Sequence, residues 1–256
     1  WFGRKQDAKS ATITTDIPES NIVPFSEPLV HHETLHPFDE LCDYIKLRKW
    51  ERTRIGVDFD AHYFTARAHK HLSAGLPNAK ISDNKELVNW ARLIKSPAEL
   101  KYMREAGVIC TNTMLQALDK IAPGVRQYEI IADIYKNQIN GVDGKYGDYT
   151  GLCPLIQVGE STSTPHLTWS DEPLPKEGLV VLEIGAARRH YHAPLTRTAY
   201  IGNIPKEVTK LSSAIIEAGN RAFEVAKPGT TCAEVESIWQ KEINKRGYEK
   251  KSRVGY

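Results

Sequence analysis

The residues best suited to chemistry lie in LEIGAARRHYHAPLTRT, residues 182–198. An apolar run, Val180-Val181-Leu182, leads into one acid, Glu183. Eleven residues later stands Pro194, followed by Leu195-Thr196-Arg197-Thr198. The layout looks like a hairpin that would hold metal between an acid on each arm. The second arm instead offers proline, which has no ligand atom in its side chain, and Ala193 beside it has none either. A dinuclear centre needs several carboxylate and imidazole donors, one of them bridging. Strand alternation puts His192 on the same face as Pro194, within possible reach of the same site. One Glu and one His make a poor metal cage, so we expect no metal and no cofactor. Glu183 is expected to be buried at the end of its strand. Burial raises a carboxyl pKa unless a cation or donors favour the charged form.

Three further side chains join the candidates. His166 follows Pro165 in a loop after the turn VGESTSTP, and such loops carry function more often than regular elements do. Trp169 offers a ring for a cation, or core packing. Tyr191 offers a hydroxyl donor, or packing within a strand. By contrast, HHETLH at 31–36 lacks the HExxH spacing and reads as a solvated loop.

These residues need elements to hold them. Ser96-Pro97-Ala98-Glu99 is a strong helix start, with an N-cap serine, proline at N1 and glutamate closing a capping box. Leu100, Met103, Gly107, Cys110, Met114 and Leu118 then fall on one helical face. A helix ends at Ala122-Pro123-Gly124 and another begins near Gln127. The unit returns at Lys227-Pro228-Gly229, with Thr231 and Glu234 capping the next helix, whose apolar face carries Val235, Ile238 and Trp239. Two such halves flank a strand-rich stretch, 151–202, which suggests an internally duplicated α+β domain. Before it, residues 1–94 read as a small α/β unit, with a strand at 55–59, helical character from Tyr63 to Leu72 and a turn at Leu76-Pro77-Asn78. We place the boundary just before Ser96, giving 1–94 and 95–256.

Composition bounds the rest. Of 256 residues, 41% are hydrophobic and 26% charged, which is ordinary globular usage. With 34 basic and 32 acidic residues the formal net charge is +2, no case for nucleic acid or an anionic membrane as partner. No apolar run is long enough to span a bilayer, and no signal peptide is visible. Cys42, Cys110, Cys153 and Cys232 form no CxxC pair and read as buried free thiols in a reducing cytoplasm. The chain opens on Trp1 in what reads as mid-strand and stops at Ser252-Arg253-Val254-Gly255-Tyr256 without an ending motif. It reads as a fragment, truncated at both ends.

The helix start KSPAELKYMREA and the 182–198 hairpin resemble the pita-bread family, which includes creatinase, prolidase, aminopeptidase P and methionine aminopeptidase. That family's hairpin has an Asp at each end of an eleven-residue interval, where this chain has Glu183 and Pro194. The resemblance implies a pita-bread catalytic domain, incomplete here, behind part of a creatinase-type N-terminal domain. It also places His166, 17 residues before Glu183, about where the family keeps a substrate-facing histidine. HLTWSDEPLPKEG, EIGAARRHYHAPLTRT, KPGTTC, KKSRVGY, WFGRKQDA and LPNAKISDNKELVNWARLIKSP are similar to one branch in particular, whose members open the ring of the compatible solute ectoine.

That branch implies hydrolysis of a cyclic amidine, ectoine or hydroxyectoine, to an acetylated 2,4-diaminobutyrate. A carboxylate facing an amidinium makes a charge-assisted pair, whereas a divalent metal in the same place would repel that cation. Glu183 is then nucleophile or general base, and the resemblance suggests nucleophile. His192 would pass protons to the departing nitrogen, His166 would donate to substrate, Trp169 would stack on the amidinium, and Tyr191 would donate to the substrate carboxylate. Arg197 looks structural. The resemblance also implies a homodimer. Three other readings stand beside it: a metal-dependent Xaa-Pro peptidase, a creatinase-like amidinohydrolase and a non-catalytic scaffold.

Overall fold

The computed structural model describes residues 1–251; the closing residues 252–256 lie outside the described residues. The chain divides into two compact units, Trp1–Lys95 and Ser96–Tyr256.

In the first unit, β1 (Phe2–Arg4) precedes α1 (Ala8–Thr14) and pairs in parallel with β2 (Val23–Phe25). Then follow α2 (Pro37–Leu47), β3 (Arg54–Val57), α3 (Ala66–Gly75) and β4 (Lys80–Asp83), with Ile55 opposite Ile81 in a second parallel pair. A parallel pair needs a crossover, and α3 supplies it. Strand β3 stops at Val57, short of the expected Phe59. Helix α3 starts at Ala66 rather than Tyr63 because Thr65 caps it, its hydroxyl accepting from the Ala68 N–H at 3.1 Å. Cys42, Ile45, Leu72 and Leu76 form the core. A short α4 (Leu87–Ala91) closes the unit.

The end of HHETLH is not the solvated loop expected. His36 caps α2: its Nδ1 accepts from the Phe38 N–H at 3.1 Å, and Asp39 accepts from the His36 N–H at 2.8 Å. The His36 ring stacks on His71 at 5.1 Å, and His71 Nδ1 meets Asp39 at 2.7 Å. Burial, then the neighbouring His71 and Arg67, hold the His36 pKa below its usual value, against the pull of Asp39.

The second unit opens with α5 (Pro97–Asp119) behind the Ser96/Glu99 capping box. Its buried stripe is Ala106, Ile109, Cys110, Thr113, Met114 and Ala117, while Leu100 is 36% exposed. This corrects the expected stripe, which shares only Cys110 and Met114 with it. The helix lies across two strands, and the stripe that is buried, Ile109 and Met114 between small Ala106 and Ala117, follows the surface it meets. Helix α6 (Gln127–Asn140) follows the Pro123-Gly124 turn. Strands β5 (Leu155–Val158), β6 (Gly178–Arg188) and β7 (Tyr191–Ile201) form an antiparallel sheet in that order. Helices α7 (Lys206–Val225) and α8 (Cys232–Lys245) pack on each other and repeat the helix–Pro-Gly–helix unit, with Thr231 and Glu234 in a capping box.

Val180, Leu182, Ile184 and Ala186 of β6 point into the core that α5 and α6 build, with Ile109, Met114, Ile130, Ile131 and Ile134. Alternation sends Val181, Glu183, Gly185 and Ala187 to the other face. All four cysteines are free, but only Cys42 and Cys110 are buried; Cys232, the first residue of α8, is exposed. Burial pushes the Cys110 thiol up to about 11, leaving it an inert core thiol. Among the described residues no helix is long and apolar enough to cross a membrane.

Candidate active site on the helix-free face of the sheet

Glu183 stands in the middle of β6, not at its end, and is half-buried rather than buried. Its Cα partners are Leu155 on β5 and Thr196 on β7. Pro194 faces Gly185, one step along the same face, so Pro194 and Glu183 are diagonal neighbours roughly 7–8 Å apart. Proline is tolerated there because β7 is an edge strand of this sheet and need not donate at every residue. The donor atoms at the centre of the face are the Glu183 carboxylate and the Thr196 hydroxyl.

His192 shares this face, opposite Ala187, but lies four residues from Thr196, roughly 13 Å along the strand. Its Nδ1 meets the His190 carbonyl at 3.0 Å, and its Nε2 meets the Gly151 N–H at 3.0 Å. A carbonyl only accepts and an N–H only donates, so the ring is the neutral Nδ1–H tautomer with both nitrogens engaged by backbone. The imidazole expected to pass protons is thus held by backbone at both nitrogens. His192 fastens the 148–151 loop to the hairpin. Asp148 does the same from the loop side: its N–H donates to the Ala187 carbonyl at 2.9 Å and its carboxylate accepts from the His190 N–H at 3.1 Å. The hairpin tip needs such ties, since Arg189 and His190 both take left-handed backbone at φ 51° and 64°. Beside it, Gln138 of α6 donates to the Gly185 carbonyl, satisfying β6 beyond the point where β5 begins at Leu155.

Tyr191 is on the other face. It pairs with Arg188, its hydroxyl donates to Glu99 at 2.9 Å, and its ring stacks on Tyr102 at 5.8 Å. One step along the strand turns this side chain, expected to donate to substrate, toward α5. Arg197 also lies on the helix side, opposite Leu182, and donates to the Thr196 carbonyl at 2.7 Å. Trp169, 38% exposed, meets Tyr135 of α6 edge-on at 6.3 Å. Burial, then Cys153, raises the Tyr135 pKa.

His166 sits in the 159–170 loop with a left-handed backbone, φ 65°. The next residue, Leu167, accepts a 2.8 Å hydrogen bond at its carbonyl from the Gln157 amide. Gln157 is buried and lies on the Glu183 side of β5, since Leu155 two residues earlier is the partner of Glu183. Sequence reasoning passed over Gln157. The available signal was one carboxamide inside the apolar strand LIQV.

The model for metallopeptidase family M24 matches residues 101–256. The chain belongs to metallopeptidase family M24. This M24 chain is 37% identical, over its whole length, to an uncharacterized hydrolase/peptidase of Sinorhizobium fredii, and spans 65% of that protein. It is 35% identical to the ectoine hydrolase of Halomonas elongata, again over its whole length, and spans 66% of it. It is 28% identical to the Xaa-Pro dipeptidase of Pyrococcus furiosus over 82% of the chain and 58% of that protein. In structure it matches an X-Pro aminopeptidase from Thermotoga maritima with a TM-score of 0.78 at 21% identity, over 96% of this chain and 64% of that one. The M24 chain carries the pita-bread fold.

An M24 fold raises the question of metal. Among the described residues, no three His, Cys, Asp or Glu side chains come together in a way that could hold an ion. At the centre of the face a proline stands diagonal to the one carboxylate. The residues present do not fit a dinuclear centre, which needs a bridging carboxylate and several more donors.

Proposed function

We propose that the protein is a cytoplasmic, homodimeric hydrolase that opens the ring of the cyclic amidine ectoine without a metal ion. The observation that carries this reading is Pro194 standing diagonal to Glu183 on one sheet face: among the described residues one carboxylate stands at the centre of that face, where a metal bridge would need two. The 35% identity to an ectoine hydrolase over the whole chain supports it.

The chemistry follows from charge. A protonated ring amidine brings its own cation, and the half-buried Glu183 carboxylate makes a charge-assisted pair with it. That pairing sets a carboxylate oxygen against the electrophilic amidine carbon. Glu183 then attacks that carbon, forming a C–O bond and a tetrahedral adduct. One C–N bond breaks, the departing nitrogen takes a proton, and water hydrolyses the intermediate. Ectoine and one water thus give N-acetyl-2,4-diaminobutyrate, and Glu183 returns as carboxylate. With Glu183 as general base, water makes the same first bond. His166 approaches from the loop as a donor to substrate.

The Xaa-Pro peptidase reading has the P. furiosus relative in its favour. It requires metal at a face where Pro194 supplies no ligand. The deciding experiment uses intact protein stripped with chelator and followed with ectoine by proton NMR. Ring opening in the stripped protein supports the proposal. Turnover that appears only when manganese, zinc or iron is returned would sink the metal-free reading.

A further inference from the structure

We infer that Gln157 is the positioning residue that sets His166 over the Glu183 face, an inference that rests on the site reading above. Gln157 is 4% exposed and stands in β5, on the same side of the sheet as Glu183. A buried carboxamide costs free energy unless it finds a partner. Its Nε2 donates to the Leu167 carbonyl, the residue after His166, at 2.8 Å.

The loop needs holding at that point. Its first turn braces itself: Ser161 bonds both the N–H and the carbonyl of Val158, and Thr162 donates to the Gly159 carbonyl. Its last residue is held by Gln127, which accepts from the Ser170 N–H at 3.1 Å. Between them, His166 takes a left-handed backbone, which is unfavourable for a residue with a Cβ. Such a conformation persists where its surroundings over-determine it. The Gln157 bond ties this stretch to a rigid strand two positions along from the partner of Glu183. The carboxylate and the loop histidine are thus referenced to one sheet, through two adjacent strands.

The test is Gln157→Leu, with Gln157→Met as a second variant of similar shape should the branched side chain disturb folding. A purely binding role for His166, alike in ground and transition states, means that displacing it raises KM and spares kcat. We expect KM for ectoine to rise roughly tenfold with kcat within about twofold and the melting temperature little changed. His166→Ala should give a similar KM, and the double variant little more than either single one, as for residues that act as a unit. Additive losses, or a fall in kcat together with the melting temperature, would overturn the inference. If the parent protein does not open ectoine, the substrate reading falls by itself. The positioning role is then judged by amide exchange in unliganded protein: faster exchange confined to the 159–168 loop supports it, and unchanged protection refutes it.

Discussion

At Glu183 the consequence of replacement follows from its being the one carboxylate at the centre of the face among the described residues. Glu183→Ala and Glu183→Gln should both abolish ectoine ring opening, by roughly 10³-fold or more, since removing a nucleophile costs losses of that order. Proton NMR of substrate consumption reads this directly, and residual activity near the parent level would move the chemistry elsewhere. On the opposite face, Thr113 places a hydroxyl in the core of α5 with no hydrogen-bond partner among the described residues. An unsatisfied buried hydroxyl costs about 1–3 kcal/mol, and valine has nearly the same shape. Thr113→Val should therefore raise stability by about 1 kcal/mol, measured by chemical denaturation. The two residues also differ in how far sequence could speak for them. The face of Glu183 was legible, because alternation along the strand assigns it, whereas its mid-strand place and half-burial were not. The unpartnered state of Thr113 was not, since it depends on what α5 meets across the sheet.

At the scale of elements, stability rests on fastenings that join distant stretches of chain. His192 holds Gly151 from 41 positions away. His192→Ala should speed amide exchange at Gly151 and cost about 1 kcal/mol, the ordinary worth of such a bond. Glu105 of α5 binds Lys145 at 3.2 Å and Arg188 of β6 at 3.2 Å. The Lys145 ammonium foremost, against the opposing effect of burial and with Arg188 assisting, holds the Glu105 carboxyl below its usual range. A depressed folded-state pKa contributes stability above the unfolded value of about 4.3, and that stability is lost as pH falls through the folded value. Glu105→Gln should therefore destabilise the protein near pH 6–7, and the difference from the parent should shrink as pH falls below about 4.3 and vanish once the folded-state carboxyl is itself protonated. Denaturation curves at the two pH values check the sign. Ser96 shows the local counterpart. Its hydroxyl and the Glu99 carboxylate close the start of α5 within four residues, so the cap could be read directly.

At the scale of the molecule, the proposal concerns what binds the folded chain. A ligand that binds only the native state raises its stability, by about 2.7 kcal/mol at one hundred times its dissociation constant. Adding manganese or zinc to chelator-stripped protein should leave the melting temperature unchanged, whereas ectoine should raise it. A metal-induced rise would restore the peptidase reading. The apolar side chains on α7, with Phe223 82% and Ile216 61% exposed, belong to a helix pair that packs chiefly on itself. Sedimentation of intact protein measures whether the proposed homodimer forms.

The sequence by itself determined the local and periodic features of this protein. Capping boxes at Ser96 and Thr231, the repeated Pro-Gly turns and the face of Glu183 all depend on residues within a few positions of one another. Their physical causes are backbone hydrogen bonds and side-chain alternation, which act over that same range. Only the tertiary structure decided which stripe of α5 is buried, that Tyr191 turns to Glu99, that both His192 nitrogens are taken, and that Gln157 holds the loop beside His166. Each of these joins residues ten or more positions apart or depends on the surface an element meets. A side chain's partner there is set by packing, which spacing along the chain does not encode.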